Sequence, residues 1–180
     1  MTGKKVVLVV AFEGYQQAEY GEPKRLLEEA GVAVVTASNQ LGAAIAKDGS
    51  TTPVDMLVQN INVDVYDAII FIGGPGALDA LDNESSYTVI KQAYKKQKIV
   101  GAICISTRIL AKVGILQDKK ATGWNGDQEL EALYRAQNVT YVNQDVVVDD
   151  LIITAAGPAA AIHFGETIIR LLTAQNGWGD

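Results

Sequence analysis

Unbroken apolar runs alternate along the chain with segments of helical spacing. Val6–Ala11, Val32–Ala37, Ala68–Ile72 and Ile99–Ile103 are apolar at nearly every position, the signature of strands covered on both faces. Between them, Glu19–Ala30 carries Leu26, Leu27 and Ala30 on one helical face, and Gly31 stands where a C′ glycine ends a helix. Ser85–Gln97, Ser106–Val113 closed by Gly114, and Asp127–Ala136 read as further helices. Val139–Val142 reads as a strand, and Val146–Val148 with Leu151–Thr154 as a hairpin turned by Asp149-Asp150. Pro158–Leu172 is a last helix, with proline at its start where a missing N–H costs nothing. Residues 38–66 are mixed and glycine-containing, and predict short strands or a hairpin. Parallel neighbours need crossover connections, so strands separated by helices predict an α/β fold, a mostly parallel sheet with helices on both faces. We expect one domain over residues 1–173 and a frayed tail over 174–180 that includes Gly177-Trp178-Gly179-Asp180.

Composition narrows the classes of function. The chain has 180 residues, 48% hydrophobic and 20% charged, which excludes global disorder. A net charge of −6 offers no source for the counterion release that drives nucleic-acid binding, so no nucleic-acid partner is expected. The longest apolar runs stop far short of the ~20 residues a membrane span needs. Met1–Lys5 leads straight into Val6–Val10 without the longer apolar region and cleavage site of a secretory signal, so a cytoplasmic location is expected. One cysteine and one histidine can build neither an internal disulfide nor a Cys/His metal cage, and no metal or cofactor is expected.

In open sheets of this kind ligands bind beyond the carboxyl ends of the strands. Three loops fall there: Glu13–Glu19, the run Gly73-Gly74-Pro75-Gly76, and the turn at Cys104. Ala102-Ile103-Cys104-Ile105-Ser106 sets a nucleophile between small residues at a strand-to-helix joint, the pattern of a nucleophile elbow. Its sulfur would face the start of a helix, where unpaired N–H groups favour thiolate. A buried core cysteine fits the same five residues. The glycines at 73–76 let backbone N–H groups approach a bound group, as an oxyanion hole requires, and equally suit a tight turn. Glu13, Glu19 and Glu22 all lie near the first helix, and spacing alone does not choose among them.

Taken together, Glu19 four positions before Pro23, Gly-Gly-Pro-Gly-Ala at 73–77 and Ala-Ile-Cys-Ile-Ser at 102–106 resemble the ThiJ/PfpI superfamily, and the likeness runs on through Val146–Thr154 and Gly157-Pro158. The resemblance implies a flavodoxin-like doubly wound sandwich, a homodimer, and a reactive cysteine whose sulfur is hydrogen-bonded by a protonated glutamate. It picks Cys104 as nucleophile, Glu19 as its partner, and backbone N–H groups at Gly73, Gly74 and Ile105 as oxyanion donors. Trp124, Gly76, Tyr15 and His163 are the expected substrate-facing residues. Burial and like charge push a carboxyl beside a thiolate toward its neutral, donating form. The thiol itself is expected in the range of roughly 3.5–7.5, with the two titrations coupled.

Two departures bear on activity. PfpI-type proteases place histidine directly after the cysteine, where this chain has Ile105. The deglycase branch has histidine about twenty residues later, where this chain has Trp124, which cannot shuttle a proton but can wall a pocket. What remains is a Cys104–Glu19 dyad suited to small electrophiles such as methylglyoxal, and a glyoxalase- or deglycase-like activity is expected. The competing expectations are a redox-responsive or chaperone-like stress protein whose Cys104 is oxidised to sulfinate, a PfpI-type protease, and an isocyanide hydratase.

Overall fold

A computed structural model describes residues 3–175 of the chain. Asn176–Asp180, most of the expected tail, lie outside the described residues. In chain order, β1 (Lys5–Val10) is followed by β2 (Glu13–Tyr15), α1 (Gln17–Glu29), β3 (Ala33–Ser38), β4 (Gly42–Ala46), β5 (Thr51–Val54) and β6 (Met56–Leu57). Next come β7 (Ala68–Phe71), α2 (Ala77–Leu81), α3 (Glu84–Lys95), β8 (Ile99–Ile103) and α4 (Thr107–Val113). The chain closes with β9 (Lys120–Ala121), α5 (Leu130–Ala136), β10 (Thr140–Tyr141), β11 (Val146–Asp149), β12 (Ile152–Ala155) and α6 (Ala161–Ala174).

Seven strands form the main sheet in the order β11-β12-β8-β7-β1-β3-β6, with β11 alone antiparallel to its neighbour. Alternation along β1 feeds both faces. Val7 and Val9 join a core with Ile90, Ala93, Ile109, Leu110 and Tyr134 from α3, α4 and α5. Val6, Leu8 and Val10 join a second core with Tyr20 and Leu27 of α1 and Phe164, Ile168 and Leu172 of α6. This is the mostly parallel sheet with helices on both faces that the apolar runs predict, wound as the resemblance implies. Strand order reverses between β1 and β7, which lie side by side although the chain leaves β1 toward β3. The connections then diverge to opposite faces and leave a crevice at the carboxyl ends.

Several local expectations are corrected. Glu13–Tyr15, read as loop, is a strand that pairs in parallel with β4, and β4 pairs antiparallel with β5 in a small three-stranded sheet above the crevice. That hairpin is what residues 38–66 supply. A short helix, α2, follows the glycine run directly. The helix expected from Asp127 starts at Leu130, because the Asp127 carboxylate is taken by the Arg108 guanidinium at 2.6 Å and by the Glu129 N–H at 3.1 Å. The helix expected from Ser106 starts at Thr107, after a single 3₁₀ turn over Cys104–Ser106.

That turn begins with Cys104 at φ +62°, in the left-handed region that only glycine enters without cost. Three hydrogen bonds hold the elbow there. The Cys104 carbonyl accepts from Thr107 Oγ1 at 3.0 Å and from the Trp124 N–H at 3.3 Å, and Ser106 Oγ donates to the Ile72 carbonyl at 2.8 Å. If the surroundings impose this conformation on the cysteine, Cys104→Gly will be more stable than Cys104→Ala by about 1 kcal/mol in denaturant unfolding. Equal stabilities, or an advantage for alanine, would show that the left-handed turn carries no strain.

Candidate active site

The crevice holds a cavity of about 300 Å³ lined by Gln16, Glu19, Lys47, Gly74, Pro75, Cys104, Ile105, Trp124 and Pro158. Three strand ends build it: β1 leads through β2 to Glu19 on α1, β7 to the glycine run, and β8 to Cys104. Of the three candidate acids, Glu22 pairs with Arg25 on the surface, Glu13 is exposed, and Glu19 is fully buried.

Glu19 reaches the sulfur because nothing stands between them at position 73. A Cβ built on Gly73 would lie 2.5 Å from Glu19 Oε2 and 2.7 Å from Cys104 Cβ. The Gly73 N–H donates to Glu19 Oε2 at 3.0 Å, and its carbonyl accepts from the Gln16 N–H at 2.9 Å. Gly74 is at φ +122°, with Gly14 O and Gln16 N only 2.4 and 2.5 Å from where a Cβ would stand. Glycine is needed at 74 both for the backbone angle and for this close approach.

The electrostatics belong to the pair. Burial pushes the Glu19 carboxyl up to about 7, against hydrogen bonds from Cys104 and the Gly73 N–H that hold it down. Burial, the Glu19 charge and the hydrogen bond to Glu19 push the Cys104 thiol up to about 12, opposed by the N–H groups of Ile105 and Gly74 that point at the sulfur. The coupling expected of the two titrations is present in these shifts, but the thiol is pushed up where a lowered value was expected. One proton leaves the pair near neutrality, and a second charge so close to the first is resisted. Glu19 Oε1 is buried without a hydrogen-bond partner.

The other expected residues divide. Gly74, Ile105 and Trp124 line the cavity, and Gly73 lies beneath it. Tyr15 does not line it: the ring is fully buried, packed edge-on against Tyr20 with centroids 5.4 Å apart. Gly76 turns away from it, its N–H donating to Gly14 O at 3.2 Å, and a Cβ there would lie 1.9 Å from Glu13 O. It serves packing between β2 and the glycine run. His163 is on the exposed side of α6, away from the cavity lining. Among the described residues no group of three or more His, Cys, Asp or Glu is placed to hold a metal ion.

Sequence reasoning missed Gln16, Lys47, Pro75 and Pro158 in the lining. It also missed Arg108, which is buried and donates to Asp127 Oδ1 at 2.6 Å and to the Trp124 carbonyl at 3.4 Å. The guanidinium carbon lies 5.6 Å from the centre of the Trp124 ring, within cation–π range. Arg108 follows Cys104 by one helical turn, and that spacing was the available signal. Lys47 lies in the β4–β5 turn, and nothing in the sequence links it to the cysteine.

Comparison with known proteins places the arrangement. The chain is 33% identical over 177 residues to an uncharacterized protein of Methanocaldococcus jannaschii, covering 98% of this chain and 86% of that one. It is 26% identical over 168 residues to the deglycase PfpI of Pyrococcus furiosus, covering 92% and 98%. Among solved structures, a ThiJ/PfpI domain protein from Brachyspira murdochii superposes with a TM-score of 0.91 at 28% identity, covering 97% of this chain and 99% of the other. DJ-1beta of Drosophila melanogaster shares the fold, with a TM-score of 0.81 at 24% identity over 93% and 89% of the two chains. No helix among the described residues is long and apolar enough to cross a membrane. The model of the DJ-1/PfpI family matches residues 4–171, and the chain belongs to that family.

Proposed function

We propose that the protein acts on small reactive carbonyl compounds, in the manner of a glyoxalase or deglycase, with Cys104 as nucleophile and Glu19 as its proton carrier. The observation that supports this reading is the unequal supply of donors around the pair. Two backbone N–H groups, from Gly74 and Ile105, point at the sulfur, whereas the carboxyl receives one from Gly73 and its Oε1 receives none from any nitrogen or oxygen. The single negative charge is better satisfied on sulfur, and the proton on the Glu19 carboxyl, which donates it to the thiolate. The names of the deglycase relatives agree with this class of substrate.

With methylglyoxal as substrate, the thiolate adds to the aldehyde carbon and the C=O electron pair moves to oxygen. The oxyanion faces the Gly74 N–H and takes the Glu19 proton, giving a hemithioacetal. Glu19, now a carboxylate, removes the hydrogen from the former aldehyde carbon as a proton and returns it to the neighbouring carbon. The hydroxyl proton passes to the former ketone oxygen, so the ketone is reduced and the thiohemiacetal carbon raised to a thioester. Water then gives its OH to the acyl carbon and its remaining proton to Glu19, releasing a hydroxy acid while the sulfur leaves as thiolate. Substrate and water account for every atom of the product. Trp124 and Pro158 wall the cavity, and the open volume suits molecules of this size.

Three measurements bear on the reading. Cys104→Ser is expected to abolish methylglyoxal consumption, and Glu19→Gln to lower kcat by roughly a hundredfold or more; turnover that survives Cys104→Ser would overturn the proposal. The thiol titration, followed by thiolate ultraviolet absorbance, separates the two placements of the charge by sign. If the proton resides on Glu19, Glu19→Gln raises the thiol pKa by about one unit; if Glu19 is a carboxylate, removing its charge lowers that pKa.

Stability should follow the same pair. The fold binds a proton between the ordinary carboxyl value of 4.5 and about 7 that the unfolded chain has released. The contribution of this pair to stability is therefore full below pH 4.5 and falls by roughly 3 kcal/mol as pH rises through 7. Urea denaturation of Glu19→Gln is expected to show a flattened slope across that window. A slope identical to wild type would mean that Glu19 titrates normally.

A further inference from the structure

Lys47 brings a cation to an otherwise apolar and acidic cavity. Pro75, Ile105, Trp124 and Pro158 contribute apolar wall, Gln16 an amide, and Glu19 and Cys104 the acidic pair; Lys47 is the one basic residue in the lining. Its place is set by backbone contacts. The Lys47 N–H donates to Tyr15 O at 2.8 Å, and the backbone of residues 14–16 packs directly on Gly74, whose N–H points at the sulfur. The residue at 47 thus stands one backbone layer from the oxyanion donor. The neighbouring Asp48 carboxylate is turned to Ser50: its Oδ1 accepts from the Ser50 N–H at 2.9 Å and from Ser50 Oγ at 2.6 Å. Among the described residues no carboxylate forms a salt bridge with Lys47. A chain of net charge −6 repels small anions at long range, so any preference of this cavity for an anion must arise locally.

We infer that Lys47 is a specificity-determining residue that binds the carboxylate of the substrate, and that the preferred substrates are small α-oxoaldehydes that also carry a carboxylate. The inference rests on the Cys104 reading above and narrows it. With the carboxylate on the Lys47 ammonium and the aldehyde carbon at the sulfur, the thiolate adds to that carbon and the C=O electron pair passes to the oxygen facing the Gly74 N–H. The Glu19 proton shuttle then proceeds as for methylglyoxal, and pyruvate serves as an anionic probe that lacks the aldehyde hydrogen. Gln16 lies beside Lys47 in the lining and offers amide donors to the same end of the ligand.

Iodoacetate and iodoacetamide test this without turnover, since they share a leaving group and nearly a shape but differ in charge. Each alkylates when the thiolate attacks the CH₂ carbon and iodide departs with the C–I electron pair. Cys104 is the single cysteine, so intact-mass kinetics report on this site alone. The ratio of the iodoacetate rate to the iodoacetamide rate is expected to fall about fivefold in Lys47→Met, to be kept in Lys47→Arg, and to decline with added salt in wild type. An unchanged ratio in Lys47→Met overturns the inference while leaving the Cys104 chemistry standing. If neither reagent modifies Cys104, the thiolate reading fails, and Lys47 is judged by pyruvate binding instead. Trp178→Phe leaves Trp124 as the one tryptophan, and its fluorescence reports the cavity directly. A pyruvate Kd raised about fivefold by Lys47→Met supports the anion site; no binding, or a Kd indifferent to Lys47, overturns it.

Discussion

A carboxyl and a thiol are forced together in a crevice that has hydrogen-bond donors enough for one negative charge and not for two. Glu19 is fully buried, Cys104 is largely so, and among the described residues three backbone N–H groups serve them. Desolvation of both groups and their mutual repulsion make the second ionisation costly, so a proton stays in the pair across the physiological range. Much of the surrounding architecture can be understood as what is required to keep these two side chains in contact and largely out of water.

The sheet topology supplies the meeting point. β1, β7 and β8 lie side by side and point their carboxyl ends the same way, so residues separated by dozens of positions arrive at one edge. Glycine at 73 removes the side chain that would separate Glu19 from Cys104, and glycine at 74 lets the loop press against residues 14–16 while aiming an N–H at the sulfur. The elbow contributes the remaining element, a cysteine in left-handed backbone held by Ser106, Thr107 and Trp124. Strain of this kind persists only where neighbouring contacts over-determine it.

One wall of the crevice is tied to the elbow. The Trp124 N–H bonds the Cys104 carbonyl, and Arg108, on the helix that the elbow begins, holds the Trp124 carbonyl, faces its ring and pairs with Asp127. A buried cation that has lost most of its water needs such partners. The wall cannot move far without disturbing the backbone of the nucleophile. Position 124 thus carries a fixed aromatic surface in this chain, and the proton transfer expected of a histidine there falls to Glu19 in the proposed chemistry.

Local signals determined a good part of this protein. Apolar runs at every position marked the both-sides-buried strands, Gly31 and Gly114 marked helix ends, and the small residues around Cys104 marked a sharp turn, because each depends on sterics or burial within a few neighbours. The Asp149-Asp150 turn was legible for the same reason, whereas residues 38–66 left short strands and a hairpin as alternatives. What lay outside local reach was decided by tertiary structure. Spacing could not separate Glu13, Glu19 and Glu22, since only packing shows that Glu22 has Arg25 at the surface while Glu19 points inward beneath Gly73. Nor could it remove Tyr15, Gly76 and His163 from the cavity or bring in Lys47 and Arg108. Sequence proximity to a motif does not fix which way a side chain faces. The thiol's ionisation also escaped the sequence, because it depends on the depth of burial and the number of donors around two groups that meet only after the strands have paired.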